Sequence, residues 1–154
     1  MSARPTSEEV VLALAGLGTL FAVLIGTLIG LFSAYRGGMT DEVTFRFFDS
    51  LLALPALLLA LLVLGVVGPS RNSVLIVLVI VYVPIVARVV RSVVLSTKQK
   101  GYVEAARVQG ESTFSIVTRD IFPSVTPVLT VEAALRFSYA IFLVASLGFL
   151  GVGV

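Results

Sequence analysis

Four long runs of apolar residues, separated by shorter polar segments, organise this chain of 154 residues. The runs cover residues 10–35, 50–67, 74–90 and 125–150. Because about twenty consecutive apolar residues in a helix cross a bilayer, each run predicts a membrane-spanning helix, and the first is long enough to be tilted. Pro55 and Pro84 predict kinks in the second and third runs. We therefore expect an all-α, polytopic transmembrane protein of about four spans, with a single domain over residues 1–154.

Composition agrees with this membrane assignment. Hydrophobic residues make up 58% of the chain and charged residues 13%, with a mean hydropathy of +1.09. A soluble domain of this size could not bury so much apolar surface. Cysteine and histidine are absent, which removes disulfides, thiolate metal sites and the commonest general base. We expect no catalytic residues and no metal site, and a net charge of +2 is too small to indicate a nucleic-acid partner.

Basic residues concentrate between the third and fourth runs. Residues 88–120 contain six basic residues and three acidic ones. The basic residues are Arg88, Arg91, Lys98, Lys100, Arg107 and Arg119, and the acidic residues are Glu104, Glu111 and Asp120. By the positive-inside rule this segment is predicted to be cytoplasmic in a cell (plasma or inner) membrane. Alternation then places residues 36–49 inside, and the turn at 68–72 and both chain ends outside. Two chain ends on the outer side are unusual for a complete membrane protein, so they predict that this chain is an excerpt of a longer subunit. The alternative is a naturally short chain.

The first apolar run carries a small residue at every fourth position. The stripe consists of Gly18, Ala22, Gly26, Gly30 and Ala34. Spacing of four places these residues on one helical face, where a neighbouring backbone can approach closely. The stripe predicts a tight helix pair, either within the subunit or with a partner. The alternative is that small residues are simply frequent in membrane helices.

Two charged residues lie within the fourth run. Glu132 and Arg136 are one helical turn apart, so they can neutralise each other on a single helix. Charges at that depth are costly and usually pair or face water. They predict either a polar face along a solute path or a structural pair near the interface. We expect Arg88 and Arg91, at the end of the third run, to extend to the lipid headgroups.

The polar insert at about residues 92–124 has a helical pattern of its own. A short helix is expected over 103–109, with Glu104 near its N-terminus, where a carboxylate complements the helix dipole. Ala105 and Ala106 favour the helix and offer a low surface that a partner can cover. Gly110 is suited to stop it in a left-handed conformation.

A second helix is expected after this stop. Ser112 or Thr113 would cap it, and Phe114, Val117 and Ile121 would share one of its faces. Pro123 is expected to interrupt it just before the fourth run. The insert therefore predicts a helix–turn–helix pair.

The spacing of the insert is recognisable. Glu104, Ala105, Ala106 and Gly110 form E-A-A-x-x-x-G, and Pro123 follows thirteen residues after the glycine. This resembles the signature loop of the membrane subunits of ATP-binding-cassette importers. The resemblance implies that the loop couples the subunit to a cytoplasmic ATPase by docking into it. The run before Pro123 departs only mildly from the family pattern, because Ile121 and Phe122 keep its apolar character, but the acidic Asp120 has no explanation there.

Four further segments are similar to the dipeptide/oligopeptide/nickel branch of these permeases, and specifically to the second of its two permease subunits. They are residues 35–42, 48–55, 87–91 and 145–153. Many members carry an acidic residue where this chain has Val144, so no substrate role is assigned there. In this family the four spans would be the second to fifth of six.

The resemblance implies a permease subunit that forms half of a solute pathway, most readily for peptides, with nickel chelates as a further candidate. The subunit would not be an enzyme and would bind no cofactor, since ATP would be bound and hydrolysed by partner ATPase subunits. The other implied partners are a second homologous permease, an extracytoplasmic solute-binding protein and membrane lipid. Two alternatives stand beside this interpretation: an ion-coupled secondary transporter, and a non-transporting membrane protein whose basic loop binds lipid.

Overall fold

The computed structural model describes residues 6–153, and the elements in that range are all helices. They are α1 (Ser7–Arg36), α2 (Gly38–Leu52), α3 (Ala56–Val67), α4 (Arg71–Thr97), α5 (Gly101–Val108), α6 (Thr113–Ile116), a π-helical turn (Val117–Ile121) and α7 (Phe122–Phe149). The predicted all-α class is confirmed. Because the segment from α6 to α7 is continuously helical, it forms one long helix, Thr113–Phe149.

Helix α1 corresponds to the first apolar run and extends slightly beyond it at both ends. Its start is fixed by a capping box, in which Thr6 accepts from the backbone of Glu9 and the Glu9 carboxylate accepts from the backbone of Thr6. Its 30 residues extend about 45 Å at the rise of an α-helix. Gly37 and Gly38, with φ of 69° and 61°, then turn the chain into α2 in a conformation that other residues rarely adopt.

Helix α4 is the centre of the bundle. Ser70 caps its first turn, and Pro84 lies inside it without ending it. The helix runs to Thr97, well past the predicted end at residue 90. It packs against α1, α2, α3 and α7. Three helices are each long and apolar enough to cross a membrane: α1, α4 and Thr113–Phe149.

The second apolar run is not the simple kinked span that its composition predicts. Helices α2 and α3 meet at 91° across the break before Pro55, because proline restricts the preceding residue and cannot continue the ladder of backbone hydrogen bonds. The 12 residues of α3 extend only about 18 Å, against a hydrocarbon core of about 30 Å. The bent pair makes a fourth span only if both helices are counted together. Residues 36–49, expected as a loop, instead form most of α2.

The buried side chains form two clusters. The larger cluster lies among α1, α3, α4 and α7 and includes Leu14, Leu64, Leu78 and Leu143. The smaller one joins the ends of α1 and α4 to the polar insert and to the start of α7. The insert is therefore packed onto the membrane helices rather than hanging from them.

Candidate functional site

Helix α5 is fixed to the bundle by one narrow face. Val103 is completely buried and Ala106 is 8% exposed, and both belong to the cluster that contains Val94, Ile116 and Ile121. These three residues come from α4, α6 and the π-helical turn. Helix α5 is therefore packed directly on α4 and on the helix that begins at Thr113.

The opposite face of α5 is open. Glu104 and Ala105 are exposed, Tyr102 is half-exposed, and Val108 is 81% exposed. Val108 thus adds an apolar side chain to this open face. Both alanines were expected to form this outer surface. Ala106 instead faces the bundle, since positions 103 and 106 share the buried side of the helix.

The turn after α5 is built as its sequence predicts. Gly110 has φ of 81°, and its N–H donates to the carbonyl of Arg107 while that of Glu111 donates to the carbonyl of Ala106. This pair of bonds is a Schellman motif, which satisfies the last carbonyls of the helix. The Ser112 hydroxyl then accepts from the backbone of Ser115 at 3.2 Å and caps α6. The predicted glycine stop and serine cap are both confirmed.

The predicted interruption at Pro123 is wrong. The helix continues from Thr113 to Phe149, and the chain accommodates the proline by widening into the π-helical turn just before it. There the Phe122 N–H donates to the carbonyl of Val117, five residues earlier. The extra residue in this turn rotates the helix face. As a result Ile116 and Ile121 are buried, whereas Phe114 is exposed and does not share their face.

Two ion pairs, unforeseen in the sequence, bind α2 to α4. Arg91 donates two hydrogen bonds to the carboxylate of Asp41, from Nε to Oδ1 at 2.8 Å and from Nη2 to Oδ2 at 2.6 Å. Its guanidinium also lies 4.9 Å from the centre of the Phe45 ring. Arg88 pairs with Asp49. Arg91, which we expected to extend to the lipid headgroups, is therefore bound to Asp41 instead. Arg88 is 52% exposed beside Asp49, and its contact with headgroups stays a prediction.

A signal for these pairs does exist in the sequence. Asp41, Phe45 and Phe48 recur at the spacing of one helical face, and all three are buried against the bundle. An acidic residue on the apolar face of an amphipathic helix needs a partner. The two arginines at the end of the third run are the nearest candidates in topology.

Glu132 and Arg136 form a pair within α7. Nε of Arg136 lies 2.9 Å from Oε1 of Glu132, and the two side chains are 13% and 11% exposed. The two atoms are not aligned as a hydrogen bond, so the attraction is mainly between charges. The guanidinium also faces two aromatic rings, with centres 5.7 Å away for Tyr82 and 5.0 Å for Tyr139. Through Tyr82, the pair contacts α4.

The stripe of small residues packs on α4. A Cβ on Gly18 would lie 2.8 Å from Cβ of Leu78, and one on Gly30 would lie 2.8 Å from the carbonyl oxygen of Ala87. Gly26 is equally close to Val86, and Ala22 and Ala34 are completely buried. The close approach is therefore made within the subunit. The three glycine positions have no room for a side chain.

The described part of the chain, residues 6–153, contains no group of three acidic residues that could hold a metal ion. Its chemistry is that of surfaces and packing: a structured insert with one open face, a bundle of long apolar helices, and internal ion pairs. This arrangement defines a polytopic helical membrane protein with a structured polar insert.

Comparison with known proteins identifies the family. Residues 26–154 match the family described as "Binding-protein-dependent transport system inner membrane component", and the chain belongs to that family. It is 40% identical over 132 residues to "Dipeptide transport system permease protein DppC" of Alkalihalophilus pseudofirmus, an alignment that covers 86% of this chain and 43% of the relative. It is 34% identical over 144 residues to "Probable D,D-dipeptide transport system permease protein DdpC" of Escherichia coli, covering 94% and 46%.

A solved structure has a similar fold. It is described as "Crystal structure of an amino acid ABC transporter with histidines", and it aligns with a TM-score of 0.62 at 23% identity over 90% of this chain and 68% of the other. The chain spans about half the length of the curated relatives that it matches.

Proposed function

We propose that this chain is the permease part of an ATP-driven importer and that α5 docks on a separate ATP-binding-cassette ATPase. The observation that carries the proposal is the division of α5 into two faces. Val103 and Ala106 anchor it in the bundle, while Glu104, Ala105 and Val108 are presented outward. A helix with this division receives force on one side and delivers it on the other.

We further propose that the insert, residues 92–124, lies on the cytoplasmic side of the cell (plasma or inner) membrane. The surplus of basic residues over 88–120 supports this orientation. The ion pairs of Arg91 with Asp41 and of Arg88 with Asp49 support it too, since they hold α2 beside the start of the insert. Residues 36–49 and the insert then share one side, as alternation of the spans requires.

The mechanism follows from the packing. Closure of an ATPase dimer on ATP would displace α5, and the buried contacts of Val103 with the cluster around Ile116 and Ile121 would transmit that displacement to α4 and α7. Both are long helices, so a small tilt at the insert becomes a larger movement at the far end. ATP would be bound and hydrolysed by the ATPase alone, and the permease would supply shape and stiffness.

A complete importer of this type would include a second homologous permease, two ATPase subunits, an extracytoplasmic solute-binding protein and the surrounding lipid. Relatives that share most of this chain are named as dipeptide and peptide permeases, so we assign peptides as the solute class. Within α7, we assign the Glu132–Arg136 pair a structural role. The two charges neutralise each other, and the guanidinium of Arg136 also contacts the rings of Tyr82 and Tyr139.

That pairing also bears on the ion-coupled alternative. A coupling acid must bind and release its ion during each cycle. Glu132 is the acidic residue deep in α7, and Arg136 already neutralises it at 2.9 Å. The geometry therefore favours the ATP-driven importer.

The test is a charge placed on the open face of α5. In the assembled importer, Val108→Asp should abolish ATP-dependent peptide uptake, because a desolvated carboxylate would oppose docking, while membrane insertion stays normal. The matched control is Met39→Asp, which places the same charge on another exposed apolar residue, in the first turn of α2, where an acid is tolerated. Unchanged uptake in the Val108→Asp importer would contradict the proposal.

A further inference from the structure

A groove of about 1430 Å³ lies between the C-terminal end of α1, the end of α4 and the polar insert. We call it the basic groove. Its lower wall is apolar and includes Leu28, Phe32 and Phe122, and its rim carries Arg36, Lys98 and Arg107. The arrangement of an apolar wall below a cationic rim points to a ligand that is itself part apolar and part anionic.

The apolar wall lies along a membrane-spanning helix. Leu28 and Phe32 are one turn apart on α1 and are 67% and 61% exposed, and Phe122 at the start of α7 is 40% exposed. From Leu28 to Arg36 the helix rises about 12 Å. The groove thus passes from acyl-chain depth to the level of the headgroups, because α1 is long enough to span the bilayer and ends at Arg36.

The three cations of the rim differ from the basic side chains that are already paired inside the protein. Arg46, Arg88, Arg91 and Arg136 each lie within ion-pair distance of a carboxylate. Among residues 6–153, the three basic side chains of the groove have no such partner. They are free to take an external anion.

Their positions are nevertheless defined. Lys98 Nζ donates to the carbonyl of Ala34 at 2.9 Å, at the C-terminus of α1. Arg107 lies 5.9 Å from the centre of the Tyr35 ring, and Arg36 lies 5.9 Å from that of Phe32.

Two carboxylates also line the groove, but the cations outnumber them. Glu111 accepts from the Ser115 hydroxyl at 3.0 Å, so it is engaged with the start of α6. Glu104 lies on the exposed face of α5. The rim therefore keeps a surplus of positive charge next to an exposed apolar wall.

We propose that the basic groove binds an acidic phospholipid, with its phosphate among Arg36, Lys98 and Arg107 and one acyl chain along Leu28 and Phe32. A soluble anion would leave the apolar wall exposed, and a neutral lipid would leave the cations without a counter-charge. The bound lipid fills the space between α1 and the insert. Binding of this lipid is a function in addition to the proposed transport role.

The first test needs no variant. The purified chain, in mild detergent, is titrated with phosphatidylglycerol and with phosphatidylcholine of the same chains, and retained lipid is counted by native mass spectrometry. Phosphatidylglycerol should be retained in preference, with about a fivefold gain in affinity for each cation that contacts it. Equal retention of the two lipids would overturn the proposal. So would displacement of phosphatidylglycerol by inorganic phosphate alone, which would mark a site for soluble anions.

The second test locates the site. Replacing Arg36, Lys98 and Arg107 together by glutamine should abolish the preference for phosphatidylglycerol.

The matched control replaces three other basic residues that have no carboxylate partner in the described range and lie outside the groove: Arg71, Lys100 and Arg119. An equal loss in the control would overturn the assignment, because it would show a general charge effect. A benzophenone amino acid in place of Phe32 should crosslink to lipid in membranes. A crosslink to a protein would show that another polypeptide covers the groove.

Discussion

Helix α4 meets two neighbours through interfaces of opposite kinds. Against α1 the contact is close because Gly26 and Gly30 have no side chains and allow the two helix backbones to approach. Against α2 the contact is made by charged side chains, with Asp41 held by Arg91. Close apolar packing holds two spans along their length, whereas the ion pairs of Asp41 and Asp49 fix a shorter helix at two points. The first interface sets how tightly the bundle packs, and the second sets where the bent α2–α3 pair begins.

The largest effect is expected at the charged interface. Asp41→Asn should lower the free energy of unfolding by about 3 kcal/mol, because it leaves the Arg91 guanidinium without its counter-charge in a partly buried site. The measurement is unfolding by sodium dodecyl sulfate, followed by circular dichroism. The matched control, Glu42→Gln, breaks the exposed pair with Arg46 on the same helix and should cost about 0.5 kcal/mol or less. Equal losses would mean that α2 is not held by Asp41.

The close-packed interface should respond to a single methyl group. Gly30→Ala brings a Cβ to within 2.8 Å of the Ala87 carbonyl oxygen, and overpacking of this kind costs about 2 kcal/mol. Gly16→Ala is the same change on the same helix, where the nearest atom is 3.8 Å away on the Phe137 ring. It should be neutral or stabilising, since alanine favours the helix. If both variants unfold alike, the stripe does not pack on α4.

A third contact to α4 comes from α7. Glu132→Gln should cost about 1–2 kcal/mol, because Arg136 keeps its aromatic neighbours but loses its counter-charge. The double variant Glu132→Gln with Arg136→Gln should be more stable than Glu132→Gln alone. A double variant that is as unstable as the sum of the two single changes would contradict a paired structural role.

The smallest effect is expected outside the bundle. Gly110→Ala should cost about 1 kcal/mol, because φ of 81° is strained for any residue with a Cβ. The loss should be local, and hydrogen exchange at Glu111 and Ser112 should rise while that of α4 stays unchanged. Slower uptake with normal membrane insertion is the expected functional result. Faster exchange throughout α4 would mean that the turn supports the whole fold.

These contrasts explain what could be predicted. Patterns confined to one helix or one turn were readable: the extent of α1, the small-residue stripe, the glycine stop at Gly110 and the cap at Ser112. Each depends on residues within a few positions of one another. The family resemblance also lay in short segments, and the match to residues 26–154 confirms it.

Features that join distant residues were missed. Asp41 and Arg91 are 50 positions apart, and hydropathy alone gives no sign of their contact. The second apolar run reads as one span because its composition is the same whether it is straight or bent by 91°. Ala106 was misjudged for a related reason: which side of α5 faces the bundle depends on where Ile116 and Ile121 lie.

The central claim is that α5 docks on an ATPase through one face and is anchored by the other. The most direct test uses the absence of cysteine from the chain, so that Ala105→Cys and Ala106→Cys each carry one thiol. Each variant is co-expressed with the ATPase bearing a cysteine in its docking cleft, and membranes are oxidised with and without ATP. The account predicts that Ala105→Cys crosslinks with a yield that changes with ATP, and that Ala106→Cys, buried in the bundle, does not. A crosslink from Ala106→Cys alone, or from neither variant in an assembled importer, would contradict it.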